Sequence, residues 1–314
     1  MARARFAAVV VAVIVLLAGC AAPAGGPETE ATAGGEAASE TRSPTEPMGA
    51  SVTPTAHMGC QPGEINKDGT CEVAVSGQNA AVFGATDLMP ITASETTLGD
   101  TPGYLARPVE GGPYPAVIMI HEWWGLNENI KHMADILAGH GYVVFAVDLY
   151  DGEVATESSQ AAELAGRVRD NPDAAVQQMA SAVTALRAEP DTTRQVASLG
   201  WCFGGGQSLQ LSLSDADLNA TVIYYGTLTT DEETLRQIDG PVLGIFGSED
   251  QVVAVETVRE FDRTLGAIGV EREIYIYEGA NHAFANPSGE RFHPEATMDA
   301  WETTLRFLDE TLRP

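Results

Sequence analysis

Cys202, Asp250 and His282 follow one another along the chain in the order nucleophile, acid, base. A thiol attacks carbon efficiently only as thiolate, so it needs a base to take its proton. An imidazole serves that purpose best when a carboxylate holds its other ring N–H. The cysteine lies in Gly200-Trp201-Cys202-Phe203-Gly204, the Gly-x-nucleophile-x-Gly spacing of a sharp strand-to-helix turn, with cysteine in place of serine. The two glycines remove side chains where strand and helix must approach closely. The helix that follows offers free backbone N–H groups, which favour a thiolate and can hold an oxyanion as carbonyl attack develops charge. A lone cysteine is most often a buried apolar residue. The elbow, the apolar strand before it and the two partners after it favour the nucleophile.

Other residues compete for the same roles. His121 ends a buried strand near the expected cleft and is the main rival to His282, whereas His57, His132, His140 and His293 occupy tether, helix or loop positions. Glu249 is the neighbour and rival of Asp250, and an acidic surface turn accounts for either. Glu122 is an acid near a strand end or a solvated loop residue; Trp123 and Trp124 are an aromatic wall or core packing. His121-Glu122-Trp123-Trp124-Gly125 begins like a zinc-protease helix but has glycine where the second histidine is needed. Gly204-Gly205-Gly206 is not followed by the Gly-Lys-Ser/Thr of a phosphate loop. No metal or other cofactor is therefore expected.

The elements that position these residues follow from apolar patterning. Continuous apolar runs at 116–120, 142–147, 196–199, 220–225 and 242–246 predict buried strands, with strands also at 104–107 and 272–277. Helical spacing predicts helices over 130–138, 252–265 and 297–312, and polar helices over 157–168 and 172–187. The alternation implies an α/β fold with a mostly parallel central sheet covered by helices on both faces. Chemistry belongs beyond the carboxyl ends of such strands, where Cys202, Asp250 and His282 fall.

The segment from about Gly103 to Leu312, two thirds of the chain, resembles the dienelactone hydrolase family of α/β-hydrolases. The matching pieces are His121-Glu122-Trp123-Trp124-Gly125-Leu126-Asn127, Asp148-Leu149-Tyr150, Gly200-Trp201-Cys202-Phe203-Gly204-Gly205, Gly247-Ser248-Glu249-Asp250 and His282-Ala283-Phe284. The resemblance implies a Cys202–His282–Asp250 triad, an oxyanion hole from the backbone N–H groups of Trp123 and Phe203, and a Glu122 carboxylate that couples thiol activation to substrate binding. It also implies an arginine clamp for an anionic substrate, but the position after His282-Ala283-Phe284-Ala285 is Asn286. Arg291 is a possible substitute, and no second arginine is placed at Arg167 or Arg169. The departure favours a broader carboxylic ester or lactone hydrolase, whose partner is a small-molecule ester or lactone. The alternatives are a related thioesterase or peptidase, and a non-catalytic envelope-binding lipoprotein on the same fold.

The rest of the chain concerns location. Residues 1–19 read as a signal peptide: Arg3 and Arg5 precede a compact apolar run from Phe6 to Ala18, too short for the roughly 17–25 residues of a spanning helix. Leu17-Ala18-Gly19-Cys20 resembles the bacterial lipoprotein cleavage box. That likeness implies lipidation of Cys20 and anchoring on the extracytoplasmic side of a membrane in the bacterial cell envelope. Residues 20–55 are rich in Ala, Gly, Glu, Thr and Pro and read as a disordered tether. Residues 56–95 form a small extension in which Cys60 and Cys71 are expected to pair as a disulfide, export being implied. The catalytic domain is placed at 96–314. With 17 Lys plus Arg against 44 Asp plus Glu, and a formal charge of -27, the field repels phosphates, so nucleic acid is not an expected partner. The acidity fits a saline habitat or a solubility device, and composition gives no oligomeric state.

Overall fold

The computed structural model describes residues 71–73, 83 and 87–313, with the backbone alone for 71–73. Cys20, Cys60 and the side chain of Cys71 lie outside the described atoms, and the expected signal peptide, lipid anchor, tether and disulfide lie there with them.

Among the described residues nine strands form one sheet in the order β1-β2-β3-β5-β4-β6-β7-β8-β9. They are β1 (Cys71–Val73), β2 (Ile91–Leu98), β3 (Thr101–Pro108), β4 (Tyr114–Ile120), β5 (Val143–Val147), β6 (Thr192–Trp201), β7 (Ala220–Tyr224), β8 (Val242–Gly247) and β9 (Arg272–Tyr277). From β5 across to β9 every neighbouring pair is parallel. The first three strands add an antiparallel extension at the β5 edge. The sheet is thus mixed, as in α/β-hydrolases. β2 pairs with β3 over its whole length, so the sequence boundary drawn at residue 96 falls within a strand. Ile91 and Ala93 are buried, but Glu95 and Thr97 farther along the same face are exposed, and this half-polar pattern gives a weaker sequence signal than a central parallel strand.

The seven helices described are α1 (Glu128–Gly139), α2 (Ser158–Asp170), α3 (Pro172–Ala188), α4 (Phe203–Ser212), α5 (Glu232–Leu235), α6 (Val255–Ile268) and α7 (Pro294–Leu312). The period of two in the strands sorts their side chains between two cores. Along β4, Val117 and Met119 face a core that includes residues of α1, α6 and α7. Ala116, Ile118 and Ile120 face the other, which includes residues of α2 and α3. All five are fully buried, and each of the larger ones contributes about 1.5–3 kcal/mol by leaving water. The predicted polar helix over 172–187 carries a buried stripe of Met179, Val183 and Leu186.

Chain direction then places the site. The loops leaving β4, β5, β6, β7, β8 and β9 at their carboxyl ends carry Glu122, Tyr150, Cys202, Tyr225, Asp250 and His282 respectively.

Candidate active site

Cys202 occupies the single residue between β6 and α4, with φ 56° and ψ -114°. Such a backbone is rare for a residue with a Cβ and stores about 1–3 kcal/mol of strain. Its own N–H donates to Tyr224 O at 3.0 Å, and its carbonyl accepts from Gly206 N–H at 3.2 Å. A Cβ on Gly200 would overlap the Gly204 carbonyl, and one on Gly204 would overlap the Ile120 carbonyl. The close packing that made glycine necessary in the motif is therefore backbone against backbone.

His282 Nε2 stands 3.2 Å from Cys202 Sγ, and His282 Nδ1 stands 2.8 Å from Asp250 Oδ2. Asp250 is buried, and its Oδ1 accepts from the N–H groups of Val252 at 2.7 Å and Val253 at 2.9 Å. The β8 loop thus holds one carboxylate oxygen and leaves the other for the imidazole. Glu249, the rival acid, has an exposed side chain. The Asn281 side chain accepts from the His282 N–H at 2.7 Å and fixes the turn that carries the imidazole.

His121 does not join this group. It is fully buried; its Nδ1 lies 2.6 Å from the Glu122 carbonyl oxygen and its Nε2 takes the Leu149 N–H at 3.3 Å. Donation from Nδ1 and acceptance at Nε2 describe a neutral ring, and burial pushes its pKa down. The ring stacks on Phe203 at 5.7 Å and meets Tyr150 edge-on at 4.6 Å. It braces the loops after β4 and β5 against the first residue of α4. Of the remaining described histidines, His132 lies within α1, His140 ends α1 and His293 caps α7.

The Trp123 and Phe203 N–H groups, expected as oxyanion donors, both face the Cys202 sulfur and pull its pKa down. Burial and then the Glu122 charge outweigh them, pushing the thiol up to about 12. Glu122 is buried and accepts from Asn286 Nδ2 at 2.5 Å. Its pKa is pushed up to about 7 by burial, against the lowering effect of that hydrogen bond. Burial excludes the alternative of a solvated loop residue at Glu122. Trp123 and Trp124 are half-buried, meet edge-on at 5.0 Å and pack against the α2/α3 core.

With this arrangement in view, the comparison with known sequences is decisive: residues 101–312 match the sequence model of the dienelactone hydrolase family. The chain belongs to that family. "Protein usf" of Aquifex pyrophilus is 33% identical over 217 residues, covering 67% of this chain and 93% of the relative. A Saccharolobus solfataricus protein provisionally named carboxymethylenebutenolidase is 29% identical over 247 residues, covering 65% and 92%. Among solved structures, the dienelactone hydrolase-like promiscuous phosphotriesterase P91 from metagenomic libraries superposes with a TM-score of 0.63 at 25% identity. It covers 70% of this chain and 98% of its own.

Against the expectations drawn for a dienelactone hydrolase family member, the arginines stand apart. Arg291 and Arg169 are exposed, and Arg167 is an exposed partner of Glu153 and Glu163. Asn286 is buried on Glu122 instead. Among the described residues no group of three or more His, Cys, Asp or Glu side chains is arranged to hold a metal ion, and no helix is long and apolar enough to cross a membrane.

Sequence reading missed the part played by three residues. Asn286 was visible only as a departure from an expected arginine. Tyr150 was visible only as the end of the Asp148-Leu149-Tyr150 motif, with no role, and Tyr225 only as a strand-end tyrosine. Tyr225 has φ 36°, an outlier for a bulky residue, and its ring lies 5.2 Å from that of His282 and 5.6 Å from that of Phe284.

Proposed function

We propose that this dienelactone hydrolase family member hydrolyses carboxylic esters or lactones through an acyl-thioenzyme on Cys202. The observation that carries the reading is the unbroken relay Asp250–His282–Cys202, with contacts of 2.8 Å and 3.2 Å. Cys202 gives its proton to His282 Nε2, 3.2 Å away, with the Asp250 carboxylate steadying the imidazolium, and Sγ forms a bond to the substrate carbonyl carbon. The carbonyl π electrons move to oxygen, and the N–H groups of Trp123 and Phe203 hold that oxyanion. Collapse breaks the ester C–O bond, and the leaving alkoxide takes a proton from His282. Water then loses a proton to His282 and attacks the thioester, releasing carboxylic acid and restoring the thiol.

The high resting pKa of the thiol supports a role for Glu122 in this sequence. A carboxyl group near pH 7 accepts a proton at neutral pH more readily than an ordinary glutamate. The test is turnover of 4-nitrophenyl esters and a lactone by the wild type and by Cys202→Ala, with mass spectrometry of the enzyme during turnover. An acyl adduct on Cys202 and loss of turnover in the variant are expected. Full turnover by Cys202→Ala ends the proposal.

We also propose that Cys20 is lipidated and tethers the domain to an envelope membrane on its extracytoplasmic side. Arg3, Arg5, the following apolar run and Leu17-Ala18-Gly19-Cys20 support it. In bacterial expression, wild-type protein should sediment with membranes and Cys20→Ala should not. Equal sedimentation of the two refutes the anchor.

A further inference from the structure

Tyr150 Oη and Tyr225 Oη are buried and have no hydrogen-bond partner. Tyr150 is 4% exposed and Tyr225 is 1% exposed, so solvent does not satisfy either hydroxyl directly. A buried hydroxyl left unpaired costs free energy, and native proteins seldom carry one without a use for it. The two come from different strands: Tyr150 follows β5 and Tyr225 follows β7, on either side of the β4 and β6 strands that carry Glu122 and Cys202. Their rings are built into the site. Tyr150 packs 5.6 Å from Phe203 and 4.6 Å from His121, while Tyr225 packs 5.2 Å from His282.

Both hydroxyls also sense the thiol. Beyond burial, the Cys202 charge is the leading influence raising Tyr150, and Glu122 followed by Cys202 raises Tyr225. The Ala285 N–H opposes the rise at Tyr225 only weakly, as the last of the influences on it. Both tyrosines remain neutral donors at any working pH.

We propose that Tyr150 and Tyr225 form a specificity subsite that donates hydrogen bonds to an acceptor oxygen on the acyl side of an uncharged substrate. This inference rests on the ester-hydrolase reading and names its substrate class: acyl groups bearing an ether, carbonyl or ring oxygen close to the scissile carbonyl. Donors alone admit a carboxylate as well as a neutral oxygen. The Glu122 carboxyl beside Tyr225 disfavours the carboxylate, and the cation acting on Tyr150 is the exposed Arg169. A site built to donate to an oxygen rejects the analogue that lacks it, because its buried donors are then left unpaired.

The experiment compares 4-nitrophenyl methoxyacetate with 4-nitrophenyl butyrate, which replaces the ether oxygen by a methylene. The readout is the ratio of their kcat/KM values in wild type, Tyr150→Phe, Tyr225→Phe and, as a remote control, Tyr114→Phe. Taking the ratio within each enzyme and then between enzymes cancels the different intrinsic reactivity of the two esters. The ratio should fall about tenfold in at least one of the two site variants and stay unchanged in Tyr114→Phe. An unchanged ratio in both site variants overturns the subsite while leaving the hydrolase reading intact. Failure of the wild type to cleave any ester overturns both. A third substrate, the 4-nitrophenyl monoester of succinic acid, should rank below the other two. If it ranks first, the subsite takes a carboxylate and the assignment to uncharged substrates is wrong.

Discussion

Asn286 Nδ2 donates to Glu122 Oε2 at 2.5 Å, joining two residues 164 positions apart beneath the Cys202 thiol. Asn286 is itself held, because its Oδ1 accepts from the Ser288 N–H at 2.9 Å and from the Ser288 hydroxyl at 2.6 Å. The amide therefore has its nitrogen committed to the carboxylate and its oxygen to the loop. A neutral donor stabilises the charged form of Glu122 without cancelling its charge, so the carboxylate stays basic and still repels a thiolate.

This contact makes the acid limb of the pH profile a reporter of Asn286. Glu122 stands at about 7, so kcat/KM should rise with pH through that value if its ionised form assists transfer of the thiol proton to His282. Asn286→Leu removes the hydrogen bond that lowers this pKa, and the limb should move to higher pH with about tenfold less activity at pH 7. Ser288→Ala should move it in the same direction by less. A limb that stays in place in Asn286→Leu assigns it to another group.

Glu122→Gln separates thiol acidity from catalysis. The Glu122 charge helps push the Cys202 thiol up to about 12, so its removal should lower that pKa and raise the thiolate fraction at any fixed alkaline pH. Iodoacetamide labelling of the Cys202 peptide at pH 9 should run roughly fivefold faster in the variant, while ester hydrolysis at pH 7 becomes slower. Parallel changes in the two rates would mean that Glu122 acts only through the local field.

Asp250→Asn tests the orientation of His282. The Oδ1 position accepts two backbone N–H groups, from Val252 and Val253, so the variant's amide oxygen should settle there. Its NH2 then faces His282 Nδ1, which must become an acceptor, leaving the ring proton on Nε2 beside Cys202. That tautomer cannot take the thiol proton. Ester turnover should fall about 10³- to 10⁴-fold in kcat with KM little altered. A loss below tenfold would show that Asp250 serves the β8 loop rather than the imidazole.

The parts of the site legible in the sequence are those written in local chemistry. Gly200, Cys202 and Gly204 are close in the chain, and their spacing reports a backbone collision that any elbow of this type must avoid. Asp250 and His282 were legible because each follows an apolar strand, and parallel strands bring their carboxyl ends to one edge. His121 looked equivalent by the same rule; its exclusion depends on the Glu122 carbonyl and Leu149 N–H that occupy its two nitrogens. The unpaired hydroxyls of Tyr150 and Tyr225 and the Glu122–Asn286 contact are tertiary properties, set by what surrounds a side chain rather than by its neighbours in sequence. Of the antiparallel extension, the largely buried β3 was legible over 104–107, whereas β2 was faint because its outer half is exposed.

Glu122 should also cost the fold stability at neutral and alkaline pH. Its folded-state pKa is raised from the ordinary 4.5 to about 7, so the folded state binds this proton more tightly than the unfolded chain. The resulting stabilisation is fully present below about 4.5 and is lost as pH rises through about 7. Glutamine keeps the shape and an oxygen for Asn286 without the ionisation. In urea unfolding, Glu122→Gln and the wild type should match at pH 4, and the variant should be more stable at pH 8 by up to about 3 kcal/mol. Asp135 is also raised to about 7 but is present in both proteins, so the difference isolates Glu122. A stability gap independent of pH would show that Glu122 carries no buried charge in the folded state. A gap that opens with pH, together with slower hydrolysis, would identify the carboxylate as a destabilising group retained for its chemistry.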